Sequence, residues 1–155
     1  MTHSSPFTVP LLVLLFFVTL WCVAQLVMSR ISGWHRLAQR FRATAEPYGE
    51  VRRVGPWFLT VYFRGSWIKY RSTVRLRAAH EALYLSMQFP FGIGHPPLCI
   101  PWEEISFSET SQLLMRFVVL TLGKQEQVAM RIHRRAAEKL GLLDRMKGQK
   151  TFVGS

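Results

Sequence analysis

The sequence predicts an N-terminal transmembrane helix followed by a small α+β domain, in which about seven antiparallel strands form a barrel or sandwich closed by a C-terminal helix. Three observations carry this expectation. Residues 7–28 contain no Asp, Glu, Lys or Arg. From Val51 the spacing of apolar residues changes from helical to strand-like, with glycine and proline between the runs. At residues 133–143 the helical spacing returns.

The polar side chains of residues 7–28 are Thr8, Thr19 and Gln25. At about 1.5 Å per residue this stretch rises roughly 33 Å, enough for a hydrocarbon core about 30 Å thick. A cleaved signal peptide fits poorly, because the leader at residues 1–6, MTHSSP, has no Lys or Arg and no small-x-small site follows the run. Cys22 is preceded by the bulky Trp21, where a lipoprotein signal has a small residue. A retained anchor is therefore expected. No fixed positive charge precedes the span, whereas Arg30, Arg36, Arg40 and Arg42 follow it closely, with Arg52 and Arg53 a little beyond. This asymmetry predicts a single-pass protein of the inner (plasma) membrane, with residues 1–6 outside and the C-terminal domain in the cytoplasm. Cys22 and Cys99 lie too far apart in this arrangement to bridge, and both read as apolar fillers.

The chain has 155 residues and a formal charge of +11, from 20 Lys and Arg against 9 Asp and Glu. What remains after the anchor suffices for one small domain. Its surface must be cationic, which points to anionic lipid, nucleic acid or an acidic protein as partner.

Residues 29–46 read as a basic amphipathic juxtamembrane helix. Ser32 can cap it, and Trp34, Leu37, Ala38 and Phe41 share one face, opposite His35, Arg36, Gln39, Arg40 and Arg42. The apolar face, Trp34, Leu37 and Phe41, can lie in the membrane interface or pack on the domain, and both remain open. In the interface reading Arg30, Arg36, Arg40, Arg42, Arg52 and Arg53 meet lipid headgroups, each cation contributing about 1 kcal/mol near an anionic surface. Pro47 and Gly49 end the element.

The β domain is expected over residues 51–143. Runs at 57–63 and 67–70 flank a turn at Gly65-Ser66, and residues 73–77 and 83–88 alternate apolar with polar. Short strands at 98–100 and 105–108 surround a Pro101-Trp102-Glu103-Glu104 corner. Residues 113–122 form a longer strand, Gly123-Lys124-Gln125 turns the chain, and residues 127–132 pair back. Residues 133–143 then close the domain as a helix with Ala136, Ala137 and Leu140 on one side, and residues 144–155 follow as a basic tail.

The run Glu81-Ala82-Leu83-Tyr84-Leu85, the later stretch from Pro97 through Pro101-Trp102-Glu103-Glu104 to Ile105, and the closing helix resemble bacterial pleckstrin-homology-like (PH-like) domains. The resemblance covers residues 51–143 and implies a PH-like barrel or sandwich plugged by its helix. One span precedes this domain, where many membrane-bound members have paired spans. The stretch SGW-x-x-LA-x-x-F at residues 32–41 is also similar to short bacterial membrane proteins with no assigned activity.

No catalytic constellation emerges. Glu103 and Glu104 are adjacent, so in extended chain they face opposite ways and cannot work as an acid and base pair. Their plainer role is as solvated carboxylates or partners of nearby arginines. His80-Glu81 lacks the second histidine of a zinc-protease helix, and Cys99 with His95 lacks the cysteine pair of a structural zinc site. Gly92-Ile93-Gly94 lies in a proline-rich loop, whereas a phosphate-binding loop opens a helix. His133 begins the last helix and reads as a cap. No cofactor, metal or enzyme activity is expected.

Basic residues cluster at Arg131, Arg134, Arg135, Lys139, Arg145, Lys147 and Lys150, and along Arg64, Lys69, Arg71, Arg75 and Arg77. In a free protein, interleaved with aromatics, they would suggest nucleic acid. A membrane tether makes the inner leaflet the nearest polyanion, so nucleic acid is disfavoured. The expected role is a membrane-anchored, non-enzymatic binding or scaffold protein, an accessory subunit of a membrane complex, with Thr19, Trp21 and Gln25 as a helix-contact face. The alternative is an anionic-lipid-binding module on the inner leaflet.

Overall fold

The computed structural model describes residues 7–45, 52–54, 60–63, 68–71, 73–112 and 115–153. The leader at 1–6, the Pro47 and Gly49 stop, residues 57–59 and 67 of two predicted strands, the Gly65-Ser66 turn and residues 113–114 lie outside them.

Helix α1, Thr8–Ile31, has 24 residues and rises about 36 Å. It is long and apolar enough to cross a membrane, and the rest of the protein buries none of its most apolar stretch. The helical path does not continue through residues 29–46 as one amphipathic element. It breaks at Ser32-Gly33, and α2, Trp34–Phe41, is only eight residues long. Ser32 closes α1, its N–H donating to the Met28 carbonyl at 2.9 Å, while its hydroxyl accepts from the Trp34 N–H at 3.3 Å. The N-cap position of α2 belongs to Gly33, in the left-handed region at φ +84°. Only glycine takes that conformation freely, and a Cβ there would stand 3.0 Å from a methyl of Val128.

Nine strands among the described residues form two antiparallel sheets. They are β1 (Arg52–Val54), β2 (Thr60–Phe63), β3 (Ile68–Arg71), β4 (Val74–Ala78), β5 (Ala82–Met87), β6 (Leu98–Pro101), β7 (Ile105–Gln112), β8 (Met115–Leu122) and β9 (Val128–His133). One sheet runs β1-β4-β5-β6, the other β3-β2-β9-β8-β7. No ladder among the described residues joins the sheets, so the barrel is not closed and the sandwich alternative describes the domain. The strand the spacing did not predict is β1, and consecutive β1 and β2, β3 and β4, and β6 and β7 pair in different sheets.

Side-chain alternation makes the core. Val74, Leu76 and Ala78 of β4 and Val128, Met130 and Ile132 of β9 point inward, meeting Leu83, Leu85, Leu98, Ile100, Leu120 and Leu122. At the corner, Trp102–Glu104 makes one 3-10 turn, and the Trp102 indole donates to the Ala79 carbonyl at 3.1 Å.

The C-terminal region departs from the expected helix and tail. Helix α3, Arg134–Lys139, ends at Leu140-Gly141, and α4, Leu142–Val153, occupies most of what reads as a tail. Buried Leu142 and Met146, one turn apart, hold α4 to the domain. Arg145 adds to this, its guanidinium 4.3 Å from the Trp102 ring centre and donating to the His80 carbonyl at 3.0 Å. His133 caps α3, its Nδ1 accepting from the Arg135 N–H at 3.3 Å.

Candidate membrane-surface site

Four segments meet where α1 ends: the last turns of α1, the start of α2, β2 with β3, and the β5–β6 loop. Trp34 lies at their centre, fully buried, with its indole N–H donating to the Pro96 carbonyl at 2.9 Å. Its ring stands edge-on to Phe63 and His95, with centroids 5.9 and 5.4 Å away. His95 is 2% exposed. Its Nδ1–H donates to the Ile93 carbonyl at 3.0 Å, which leaves Nε2 to accept from the Tyr70 hydroxyl at 3.0 Å. Burial lowers the His95 pKa, partly opposed by the bond to Ile93, so the imidazole is neutral at pH 7. Burial likewise raises that of Tyr70, partly opposed by the Ser32 hydroxyl.

The joint includes the helix itself. Ser29 is buried and its hydroxyl donates to the Gly94 carbonyl, while Trp21 packs against Phe91 with ring centres 5.4 Å apart. Gly94 is in the left-handed region at φ +74°, and a Cβ there would stand 2.8 Å from Cδ2 and 3.3 Å from Cα of Leu26. The loop thus touches the helix backbone at a point where a side chain does not fit.

Beside this joint opens a cleft of about 470 Å³, lined by Leu26, Ser29, Arg30, His35, Arg42 and the loop residues Gly92, Gly94, Pro96 and Pro97. No carboxylate lines it. Two arginines, Arg30 and Arg42, beside the apolar Leu26 suit an anionic group whose attached chains are apolar.

The six arginines expected at lipid headgroups part company. Arg30 and Arg42 share the cleft. Arg36 is exposed on α2. Arg40 turns toward the domain, donating to Glu104 at 3.0 Å with Glu126 at 3.9 Å. That agrees with the plainer role for Glu104, whose other oxygen accepts from the Lys124 N–H at 3.0 Å. Arg52 packs over Gly141 between α3 and α4, and Arg53 lies on β1 opposite Arg77. Of the two settings open to the apolar stripe, the structure shows packing on the domain: Trp34 and Leu37 are fully buried and Phe41 is 7% exposed, so none of the three reaches an interface.

In α1, the Thr19 hydroxyl donates back to the Leu15 carbonyl at 2.8 Å, and Trp21 is engaged by Phe91. Among the described residues no three His, Cys, Asp or Glu side chains gather as metal ligands. Tyr70, His95 and Ser29 belong to the joint, and no motif or spacing in the sequence marks them. The signal for the joint was the charge-free run between Glu81 and Glu103 that carries the loop. Comparison of the chain with protein-family models, with curated proteins and with solved structures finds no match.

Proposed function

We propose that this chain is a single-pass, non-enzymatic binding module that α1 anchors in the inner membrane, with its β domain on the cytoplasmic side and docked on anionic headgroups. The observation that carries this reading is the Arg30 and Arg42 cleft, which opens at the end of an apolar spanning helix and has no acidic residue in its wall. The positive flank after the span supports the orientation. Support for a pleckstrin-homology-like domain comes from two antiparallel sheets, nine strands among the described residues, with helices at the C-terminal end.

The test uses the full chain in nanodiscs of mixed neutral and anionic lipid, with retained lipid identified by native mass spectrometry. Enrichment of the anionic lipid should fall about fivefold with Arg42→Ala, equivalent to about 1 kcal/mol per cation, and should weaken as salt rises. Equal retention of neutral and anionic lipid, insensitive to salt, contradicts the reading.

A second reading, a scaffold for another membrane protein, rests on the edge of β6. That edge is met by a single bridge from Arg42 to Leu98 and by the Ala43 N–H bond to the Pro97 carbonyl at 2.8 Å. A groove of about 490 Å³ runs beside it, between Ala43–Ala45 and Tyr84, Cys99 and Pro101. An exposed strand edge of this kind accepts an extended peptide. Purification in mild detergent that returns only the chain itself, with no co-purifying protein, counts against it.

A further inference from the structure

Among the described residues, every large apolar side chain classed as exposed belongs to Phe7, to α1, or to two positions in one loop: Phe89, 88% exposed, and Ile93, 40% exposed. The described part of the domain otherwise hides its large apolar groups, so these two mark a surface whose covering is missing from the isolated chain. Their loop, between β5 and β6, carries Phe89-Pro90-Phe91-Gly92-Ile93, and no Asp, Glu, Lys or Arg occurs between Glu81 and Glu103.

The loop's height relative to the bilayer is set by its contacts with α1. Phe91 packs on Trp21, and Gly94 lies against Leu26. If the hydrocarbon boundary lay at Trp21, only residues 7–20 would remain above it, a rise of about 21 Å, against a core about 30 Å thick. Ahead of Phe7 come His3, Ser4 and Ser5, which do not extend the apolar run. Trp21 must therefore lie inside the inner boundary, and the ring beside it with it. Two successive turns pair part of the loop's backbone internally: Phe91 N–H to the Gln88 carbonyl at 2.8 Å and His95 N–H to the Gly92 carbonyl at 3.0 Å.

We propose that the β5–β6 loop is a second membrane-inserting element, with Phe89, Phe91 and Ile93 immersed in the acyl region of the inner leaflet beside α1. Lipid is the occupant, because the loop is continuous with the one surface of the chain that must face lipid. The insertion rests on α1 spanning the bilayer. It fixes the roll of the domain on the membrane, which a single helix leaves free, and it brings the Arg30 and Arg42 cleft to headgroup level.

The test places one environment-sensitive fluorophore at a time on the full chain in lipid vesicles, at Phe89→Cys, Ile93→Cys, Val13→Cys within α1, or Glu138→Cys on exposed α3, with Cys22 and Cys99 replaced by alanine. Both Phe89 and Ile93 are exposed, so their replacement leaves the core intact. The expected result is blue-shifted emission at Phe89→Cys and Ile93→Cys, lost to a quencher carried on the acyl chain and indifferent to aqueous iodide, as at Val13→Cys. Glu138→Cys should respond to iodide alone. Iodide quenching at both loop positions, with Val13→Cys still quenched from the lipid, overturns the loop insertion and leaves the anchor standing. Iodide quenching at Val13→Cys as well overturns both.

Discussion

Tyr70 donates its hydroxyl proton to Nε2 of His95 at 3.0 Å, and this bond lies within the joint that fastens α1 to the β domain. A flexible tether would let the domain tumble below the membrane. Here the helix end, the loop and the sheet share one buried core, so the domain's pose follows from that of α1.

The joint needs a neutral His95. Burial lowers its pKa below the ordinary 6.5, so the unfolded chain takes up a proton before the folded one does. This contribution to stability is complete above pH 6.5, declines as the pH falls below it, and is gone once the pH has passed the depressed folded value. Thermal melts of the full chain in detergent should show wild type losing stability relative to His95→Gln across that window. Parallel pH profiles for the two proteins would show that His95 takes up its proton equally in the folded and unfolded chains, which contradicts a joint that needs it neutral.

Trp34 fills the centre of the joint. Trp34→Ala should cost about 3–5 kcal/mol, the range for deleting a large buried aromatic. Trp34→Phe keeps most of the ring but leaves the Pro96 carbonyl without its donor, a loss of about 1–3 kcal/mol. Denaturant titration of both variants checks the order, and an alanine variant as stable as wild type would place the ring outside the core.

Gly94 permits the loop's approach to α1. Gly94→Ala should destabilise by about 1–2 kcal/mol for the left-handed backbone alone, with a further loss from the collision with Leu26. Leu26→Ala in the same chain should recover part of the second loss, because Cδ2 is the nearer obstacle, but not the first. Hydrogen exchange in the β5–β6 loop provides the readout.

Arg40 and Arg42 are neighbours in sequence with different duties. Arg40, half-exposed, pairs with Glu104, and a double-mutant cycle should give about 0.2–1 kcal/mol, falling with salt. Arg40→Ala should leave anionic-lipid retention unchanged, whereas Arg42→Ala lowers it. The reverse pattern would move the headgroup site away from the cleft.

The parts of this architecture legible in the sequence are those written in period and charge. Residues 7–28 announce α1, and the alternation of Val74, Leu76, Leu83 and Leu85 announces a one-sided sheet. The stripe of Trp34, Leu37 and Phe41 is equally plain, but a stripe records only that one face is covered, not by lipid or by protein. Gly33 decided that question by breaking the path and turning α2 onto the domain, and a left-handed glycine is invisible to periodicity. The C-terminal helix hid for a related reason, since Leu142 and Met146 are two apolar positions among basic neighbours. The joint was the least legible part, because Ser29, Tyr70 and His95 are brought together from three distant segments by the topology alone.

The central claim is that α1 stays in the bilayer and holds the β domain against its cytoplasmic face. It is tested most directly by labelling single cysteines with a membrane-impermeant reagent, at Ser5→Cys ahead of the span and at Glu138→Cys on α3, in chains whose Cys22 and Cys99 are alanine. In intact cells Ser5→Cys should react and Glu138→Cys should not, the latter reacting only after the membrane is opened. Reaction of Glu138→Cys in intact cells, or recovery of the chain in the soluble fraction, would contradict the account.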